Sequence, residues 1–514
     1  MASEKSDSDF KKISFESAID KAGFGLYSIG MLCLSGVAII SFACVGYGSM
    51  IIVPTSACEL QTTSAQQGIL AAGPVVGSML GGVLWGYLAD TRGRRSMLLI
   101  ALLGGAFFNL IASISLNWIM LMVFQFIASI FASGLYSMSV SLLSESVPMA
   151  KRNLGVLLVA SISLLAQGIM SVLAIPIIPL SFSYHIPALD IYWNSWRTLM
   201  AVYSVPSIVT ALWLLFMQES PKFLYTKGDE DGALKILKII HKVNHFWSKK
   251  ELQVVGLLKE DKPLKEGPAS AKDQIVPLFK SPLLKYTVIM TTLVMLKQVG
   301  PFIVWLPRIA DQFVRIVQTG ESSNQTMCGI ISSTLEAPTD PNATPCALDE
   351  TSLLIVLGVG ALQSIVNILI STIVNKVGRR NIVLVLTSVC GVSGILVNLV
   401  PNVIGSATLF LVFLLGFVTL GLYTALLVSL FPTNVKVMAL AFAMSCGRLA
   451  TFASIQILNA LLVSNCEAGF YLFACLFTSS FIVASFLPDD RRLSKQKFLE
   501  TTEKTEENNN STPL

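Results

Sequence analysis

The two segments that decide the fold are Gly86–Arg95, GYLADTRGRR, and Asn375–Arg380, NKVGRR. Each closes a long apolar run, and each has a glycine followed directly by two arginines. Glycine allows the backbone to make a tight turn between two helices. A basic pair after one membrane helix is expected in any case, because Lys and Arg collect on the cytoplasmic side. The chain has twelve apolar runs, and the Gly-Arg-Arg sequence follows the second and the eighth of them. This repeat at matching positions predicts two similar halves of six runs each.

Twelve apolar runs make up most of the chain. A helix needs about 20 apolar residues to cross a hydrocarbon core of roughly 30 Å. Of the 514 residues, 53% are hydrophobic and 13% are charged, whereas about 25% of the residues of a soluble domain are charged. The sequence therefore predicts an all-α integral membrane protein with twelve transmembrane helices in two six-helix bundles. The runs lie near residues 25–53, 66–88, 96–116, 118–143, 154–180, 196–217, 284–307, 351–374, 381–400, 406–429, 438–464 and 469–487.

A polar linker separates the sixth run from the seventh, and a charged tail follows the twelfth. Within the linker, apolar residues recur at helical spacing between lysines over Gly232–Lys242. This pattern predicts an amphipathic helix on the cytoplasmic membrane surface. The predicted segments are an N-terminal segment at 1–24, the first bundle at 25–217, the linker at 218–283, the second bundle at 284–487 and the tail at 488–514.

The positive charges indicate which side of the membrane each end faces. Basic clusters fall on alternate loops, at Arg92–Arg95, Lys151–Arg152, Lys376–Arg380 and Arg491–Arg492. The rule that positive loops stay inside predicts that both termini are cytoplasmic. The net charge of +5 then needs no nucleic-acid partner to explain it.

The long loop at 314–350 is predicted to face outward or into a lumen. It contains two Asn-x-Thr sequons, which predict glycosylation at Asn324 and Asn342. It also contains Cys328 and Cys346, which could form a disulfide in an oxidising compartment. The alternatives are two free thiols, or bonds to Cys58 or Cys466.

Two positive side chains lie deep in apolar runs. Lys297 is near the middle of the seventh run, and Arg448 is in the first half of the eleventh. A charge at that depth costs from about 2.5 to more than 10 kcal/mol. No carboxylate lies deep in the runs, so an organic anion is the hypothesised neutralising partner. The alternative is that Arg448 snorkels to the interface and Lys297 binds carbonyls freed near Pro301.

Polar residues in the runs extend this candidate substrate site, although each could instead form a hydrogen bond between helices. Gln363 and Asn367 are four residues apart and therefore share a helix face. The sequence predicts no cofactor and no metal, because Cys and His show no ligand spacing. The added candidates are Gln167, Gln298, Gln363, Asn367 and Tyr423.

Four motifs resemble the major facilitator superfamily. Gly86–Arg95 is similar to its signature between helices 2 and 3, and Glu145–Gly155 to the matching signature after helix 4. Glu219–Lys222 resembles the motif that closes the first half in the sugar-porter-like branch, and Phe431–Thr433 mirrors the helix 4 motif. The opening Phe15–Gly25 resembles the synaptic vesicle glycoprotein 2-like group, which is related to organic ion transporters.

The resemblance implies a monomeric transport unit whose two bundles rock about a central site for a small molecule. It also implies a coupling ion as an option, and a plasma or vesicle membrane as location. The cytoplasmic motifs would act as latches, with Asp90 pairing with basic residues or helix ends. The predicted latch residues are Gly86, Asp90, Gly93, Arg94, Arg95, Glu145, Arg152, Gly378, Arg379 and Arg380.

The second half departs from this pattern. Asn375 stands where the second Asp is expected, and Ser429 where an acid usually precedes the helix 10 motif. A weaker second latch is therefore predicted, which leaves open a transporter-like vesicle scaffold or regulator as the alternative function. An enzyme is disfavoured because the three histidines have no partner set, and an ATP-driven pump because no phosphate-binding Gly-Lys-Ser/Thr loop occurs.

Overall fold

The computed structural model describes residues 13–188, 190–246, 252, 254, 256–257, 276–319, 326–329, 331, 348–431 and 435–488. By its contacts the chain divides into two units. The first comprises residues 1–267 and 339–361, and the second comprises residues 268–338 and 362–514.

Helices dominate the described part of both units, and the only strands in it form one short hairpin. In the first unit they are α1 (Phe15–Ala22), α2 (Leu26–Tyr47), α3 (Ser49–Ser56), α4 (Ser64–Arg92), α5 (Arg94–Ala112), α6 (Trp118–Ser146), α7 (Met149–Ala174), β1 (Tyr184–Ile186), β2 (Ile191–Trp193), α8 (Ser195–Leu214), α9 (Pro221–Thr226) and α10 (Glu230–Asn244). The later helices are α11 (Leu283–Leu296), α12 (Gly300–Thr319), α13 (Glu350–Val377), α14 (Arg379–Leu396), α15 (Val403–Leu415), α16 (Thr419–Leu430), α17 (Lys436–Ser464) and α18 (Cys466–Ser485). α13 begins in the first unit and ends in the second.

Twelve spans in the described residues are long and apolar enough to cross a membrane. Six precede α9 and six follow α10, in the order that the sequence predicts. The predicted class, an all-α integral membrane protein with twelve transmembrane helices, is confirmed.

Two spans in the second unit are interrupted. The backbone leaves the helix at Lys297, between α11 and α12, and Gly300 and Pro301 then begin the next helix. Proline suits that place because the first turn of a helix needs no donor from it. The second break is a 3₁₀ turn, Gly416–Val418, between α15 and α16. A side chain at Gly416 would come within 2.7 Å of the Phe477 ring, so the turn packs closely on α18.

The predicted amphipathic helix of the linker is α10. Its apolar side chains Ala233 and Leu237 pack with Phe15 and Ile19 of α1, and Ile240 joins the main core of the first unit. The expectation that this face lies on lipid is therefore wrong. The amphipathic pattern reports only that one face is buried, and here the N-terminal helix covers it.

The predicted bond between Cys328 and Cys346 is wrong, and the alternative bond to Cys466 is the one that forms. Cys328 is bonded to Cys466, the first residue of α18, instead of Cys346. Their Cα atoms are 5.6 Å apart, which suits a disulfide. The turn at Cys328 is held there because its N–H donates to Asn398 Oδ1 at 3.1 Å, a contact that sequence spacing cannot show. Cys58 is also disulfide-bonded.

The long loop begins later than predicted, because α12 continues to Thr319 and residues 314–319 are helical. The two predicted glycosylation sites, Asn324 and Asn342, lie outside the described residues, as does Cys346.

Candidate functional site

Lys297 lies at the break between α11 and α12. Its side chain is buried, with 7% of the residue exposed. Nζ lies 4.1 Å from the centroid of the Phe417 ring, and Phe417 belongs to the 3₁₀ turn that interrupts the span of α15 and α16. The two broken spans therefore meet at a cation on an aromatic face.

The ion pairs among the described residues do not include Lys297. A cation–π contact of this kind contributes about 2 kcal/mol when desolvated. A charge deep in the membrane costs from about 2.5 to more than 10 kcal/mol. The aromatic face therefore offsets only part of the cost, and an anion beside Lys297 would offset more.

Two buried amides lie beside the same two breaks. Gln363 of α13 donates from Nε2 to the Leu414 carbonyl at 2.9 Å, a carbonyl at the end of α15 just before the 3₁₀ turn. Gln298, next to Lys297, donates to the Met295 carbonyl. The Oε1 atoms of Gln298 and Gln363 have no hydrogen-bond partner among the described residues, so both remain as acceptors.

Arg448 is half-buried on α17. The preceding residue, Gly447, packs directly on Val294 of α11. One turn further on, Thr451 would lie 3.8 Å from a Cβ at Gly300. Arg448 therefore sits on the stretch of α17 that runs along the α11–α12 break.

The remaining candidate substrate-binding residues are Asn367, Tyr423 and Gln167, and the structure places each in a different environment. Asn367 is half-buried, with its Oδ1 facing Gly421 of α16. Tyr423 is fully buried in the second unit. Gln167 belongs to the first unit, where its Nε2 lies 3.9 Å from the sulfur of Met50.

A second cluster, the Arg94 cluster, lies at the α4–α5 turn of the first unit. Arg94 contacts Glu145 at 3.1 Å and Asp90 at 3.3 Å, and its guanidinium lies 5.3 Å from the centroid of the Phe223 ring. Ser220 donates its hydroxyl to Glu145. Glu145, near the end of α6, therefore contacts both Arg94 at the start of α5 and Ser220 just before α9.

The α4–α5 turn itself is shaped by Gly93, whose φ is +101°. The Glu219 carboxylate accepts from the backbone N–H of Arg95 at 2.9 Å and of Ser96 at 3.4 Å, which caps α5. The Arg95 side chain donates to the carbonyl of Leu214 at 3.2 Å and to that of the next residue. Of the other predicted latch glycines, Gly86 has open space where a side chain would be.

Arg152 does not join the Arg94 cluster. It pairs with Glu16 of α1 at 2.9 Å, and Lys222 approaches the same carboxylate at 3.5 Å. Asp20 of α1 accepts from the backbone N–H of Met149 at 2.9 Å and so caps α7. The sequence does not single out these two acids, because residues 1–24 are predicted as a segment outside both bundles. Their amphipathic spacing around Phe15 and Ile19 was the available signal.

The matching turn of the second unit has the same backbone but other partners. Gly378 has a φ of +90°, and Arg380 donates to the Ser485 carbonyl at the end of α18 at 2.6 Å. Ser429 bonds only within its own helix, to the Leu426 carbonyl at 2.8 Å. Arg379 is half-buried, and the side chain of Asn375 lies outside the described part.

These features define a polytopic membrane protein with two similar Gly-Arg-Arg turns and a cation at two broken helices. The profile of the Major Facilitator Superfamily matches residues 31–454, and the chain belongs to that superfamily. The predicted family is thereby confirmed.

The similar curated proteins include synaptic vesicle glycoprotein 2C of Mus musculus, 26% identical over 231 residues, which are 45% of this chain and 32% of that protein. The putative transporter SVOPL of Mus musculus is 26% identical over 243 residues, 47% of this chain and 46% of that one. The matched region therefore spans less than half the length of these relatives. The predicted likeness to the synaptic vesicle glycoprotein 2 group is confirmed.

Among solved structures, the chain resembles the xylose transporter XylE from E. coli in a partially occluded inward-open conformation. The TM-score is 0.62 at 16% identity, and the match covers 90% of this chain and 100% of that chain. At this identity the likeness shows the fold alone.

Proposed function

We propose that this chain is a secondary transporter that carries a small organic anion across the membrane by alternating access. The observation that carries the proposal is Lys297, a buried cation at the break of α11 and α12 with an aromatic ring beside it and no ion pair among the described residues. Membership of the superfamily supports transport, and the charge of the site supports the choice of an anion.

In this proposal Lys297 contacts the anionic group of the substrate, and Arg448 supplies the second positive charge. The free acceptor oxygens of Gln298 and Gln363 suit a substrate that also carries a hydroxyl or amine donor. Asn367, Tyr423 and Gln167 complete the candidate set. A coupling ion is compatible with the site, and one chain is the transport unit.

Both termini face the cytoplasm in this proposal, in a plasma or vesicle membrane. The charge pattern supports that orientation. The disulfide between Cys328 and Cys466 gives independent support, because disulfides form in oxidising compartments. The same holds for Cys58, at the end of the first span.

The test begins with purified protein and thermal unfolding in the presence of a panel of organic anions, organic cations and neutral sugars. A ligand at about 100 times its Kd stabilises the folded state by roughly 2.7 kcal/mol. Each hit is then tested for uptake into liposomes. The variants are Lys297→Met, which replaces the charged end by an unbranched apolar side chain one atom shorter, and Arg448→Gln. Lys285→Ala is the control, because Lys285 is exposed at the start of the same α11.

We expect an anion to stabilise the wild type and to be taken up, and both effects to be lost in Lys297→Met and Arg448→Gln but kept in Lys285→Ala. Without ligand, Lys297→Met should unfold at a higher temperature than the wild type, because a buried charge has been removed. Hits confined to cations or sugars would overturn the choice of an anion. A less stable Lys297→Met that still transports would show that Lys297 serves packing alone.

The alternative function is a transporter-like vesicle membrane protein that acts as a scaffold or regulator. The specific observation in its favour is Ser429, which stands by sequence where the first half has Glu145 and donates its hydroxyl to the Leu426 carbonyl of its own helix. Folded protein that binds no solute of any class and shows no uptake would favour this alternative.

A further inference from the structure

The charged end of Lys297 has one partner among the described residues, the ring of Phe417. Nζ lies 4.1 Å from the centroid of that ring and makes no hydrogen bond or ion pair with the described residues. An ammonium group has three N–H donors. An aromatic face attracts the positive charge as a whole, so these donors remain available to the oxygens of a ligand.

The main-chain carbonyls at the break already have other donors. The Leu293 carbonyl accepts from the backbone N–H of Lys297 at 3.2 Å, and the Leu296 carbonyl accepts from the backbone N–H of Gln298 at 2.8 Å. The Gln298 side chain donates to the Met295 carbonyl. These three carbonyls are therefore satisfied without the ammonium of Lys297.

The position of the Phe417 ring is set by the packing of the two breaks against each other. Phe417 is the middle residue of the 3₁₀ turn, and a Cβ at Gly416 would come within 3.2 Å of Val299 Cγ2. The Thr419 hydroxyl donates to the Gly416 carbonyl at 2.7 Å and closes the turn. Because Val299 lies two residues after Lys297, the contact that packs the breaks together also brings the ring to Nζ.

We propose that Phe417 is a positioning residue of the anion site, whose ring holds the Lys297 ammonium in place before an organic carboxylate arrives. This inference rests on the proposed function, because the carboxylate is the ligand of the Lys297 site. A lysine ends a flexible four-carbon stem. Fixing that stem in advance lowers the ordering cost that binding must otherwise meet. The ring thus raises the affinity for the anion without touching it.

The first measurement tests the contact between Lys297 and Phe417 without any ligand. Phe417 of the full-length protein is replaced by phenylalanines that carry one, two or three ring fluorines, which weaken the negative face and leave the ring nearly the same size. The unfolding temperature is measured in the wild type and in Lys297→Met. Phe413 receives the same series as the matched control, because it is buried at the end of α15 and no cation lies over its ring in the described part of the chain.

The second measurement tests the effect of the ring on anion binding. The Kd values of lactate and para-hydroxybenzoate are measured by isothermal titration in detergent, with lactamide and para-hydroxybenzamide as neutral probes of the same shape. Each acid has a carboxylate for Lys297 and a hydroxyl donor for the unpartnered oxygen of Gln298 or Gln363. The proteins are the wild type, Lys297→Met and the fluorinated series at Phe417 and at Phe413.

We expect three fluorines at Phe417 to lower the unfolding temperature by about 2 °C in the wild type and by less than about 0.5 °C in Lys297→Met. The Kd of the bound carboxylate should rise stepwise with the number of fluorines, to about fivefold at three. The series at Phe413 should leave the Kd within about twofold, and its effect on the unfolding temperature should be the same with Lys or Met at position 297.

The outcomes separate this inference from the proposed function. Suppose a carboxylate binds the wild type and is lost in Lys297→Met, but its Kd does not change with fluorination at Phe417. The anion site would then stand, and the role of Phe417 would be overturned. Equal losses of stability in the two backgrounds would overturn that role as well. Binding that persists in Lys297→Met, or no binding of either acid to folded wild type, would remove the anion from Lys297 and the role of Phe417 with it.

Discussion

The turn at Gly93, in the first unit, and the turn at Gly378, in the second, have nearly the same backbone. The φ values are +101° and +90°, with ψ values of 146° and 142°. In each, the second arginine after the glycine donates to a carbonyl at the end of the last transmembrane helix of its half: Arg95 to Leu214 and Arg380 to Ser485.

The side chains around the two turns differ. Arg94 lies between two carboxylates, and a third, Glu219, caps α5. In the second unit Ser429, by sequence the match for the helix 4 acid, bonds inside its own helix. The comparison teaches that the glycine and the second arginine make the same contacts in both turns, whereas Glu145 and Glu219 are acids of the first half. Four changes test this division.

The largest effect is expected for alanine at the two glycines. A side chain at a φ near +100° costs about 1–3 kcal/mol, and in Gly93→Ala the new Cβ would also lie 2.6 Å from Glu219 Oε2. We expect Gly93→Ala to lower the free energy of unfolding by about 3 kcal/mol, and Gly378→Ala by about 2 kcal/mol. Unfolding by denaturant titration in micelles measures both.

Gly86→Ala is the control for that pair. Gly86 lies inside α4 with open space beside it, so alanine there should raise stability by about 0.5–1 kcal/mol. A cost at Gly378 equal to or above that at Gly93 would break the claim that Glu219 crowds the first turn.

The next effect is expected for Glu145→Gln. The Arg94 and Glu145 side chains are only 16% and 14% exposed, so removing one charge leaves the other poorly solvated. We expect Glu145→Gln to lower the free energy of unfolding by about 2 kcal/mol, which is less than the 3–5 kcal/mol for breaking a fully buried pair. A double-mutant cycle with Arg94→Gln should give a coupling energy of about 1–2 kcal/mol. Asp90→Asn should cost less than about 0.5 kcal/mol, because Asp90 is 73% exposed. A coupling energy near zero would contradict the ion pair.

Glu219→Gln should have a smaller effect. The amide keeps one acceptor oxygen for the N–H groups that begin α5, but it loses the charge that the helix N-terminus favours. We expect the free energy of unfolding to fall by about 1 kcal/mol, and this loss to shrink as salt is raised from 0.05 to about 0.5 M, because Glu219 is only partly buried and salt screens its charge. A loss that does not change with salt would show that Glu219 acts by packing.

The smallest effect is expected for the second arginine of each turn, which is the feature that the two turns share. Arg95→Lys and Arg380→Lys each replace a planar group that donates to main-chain carbonyls with an ammonium that fits less well. We expect each change to lower the free energy of unfolding by about 0.5–1 kcal/mol. The two losses should agree within about 0.5 kcal/mol. A clear difference between the two would mean that the turns do not depend on the arginine in the same way.

Local signals were sufficient for the helices and the breaks near them. Twelve apolar runs predict twelve spans, and the carbonyls expected to be freed near Pro301 correspond to the break that the structure has at Lys297. The break at Gly416 was missed, because a glycine inside an apolar run has many packing roles. The turn at Gly416 packs on the Phe477 ring of another helix, a contact that the sequence cannot place.

Partners distant in the chain were the main gap in the prediction of the site. Arg152 pairs with Glu16, 136 residues away, because α1 returns to the start of α7. Likewise, the apolar face of α10 has the same pattern whether lipid or α1 covers it. The sequence shows that Lys297 is a positive charge in an apolar run. It does not show the contact with Phe417, because that contact requires the breaks at Lys297 and at Gly416–Val418 to lie next to each other.

The disulfide between Cys328 and Cys466 has a consequence for biosynthesis. The two cysteines are separated by 138 residues, so at about 5–20 residues per second the ribosome needs roughly 7–28 seconds to make the second after the first. Throughout that interval Cys328 is an exposed thiol in the predicted outer compartment, and Cys346 follows it only 18 residues later. The bond that sequence proximity suggests is therefore the one that forms most easily by mistake. A host that expresses this protein needs thiol–disulfide exchange as well as an oxidant, and the fraction of correctly bonded protein should follow its isomerase activity.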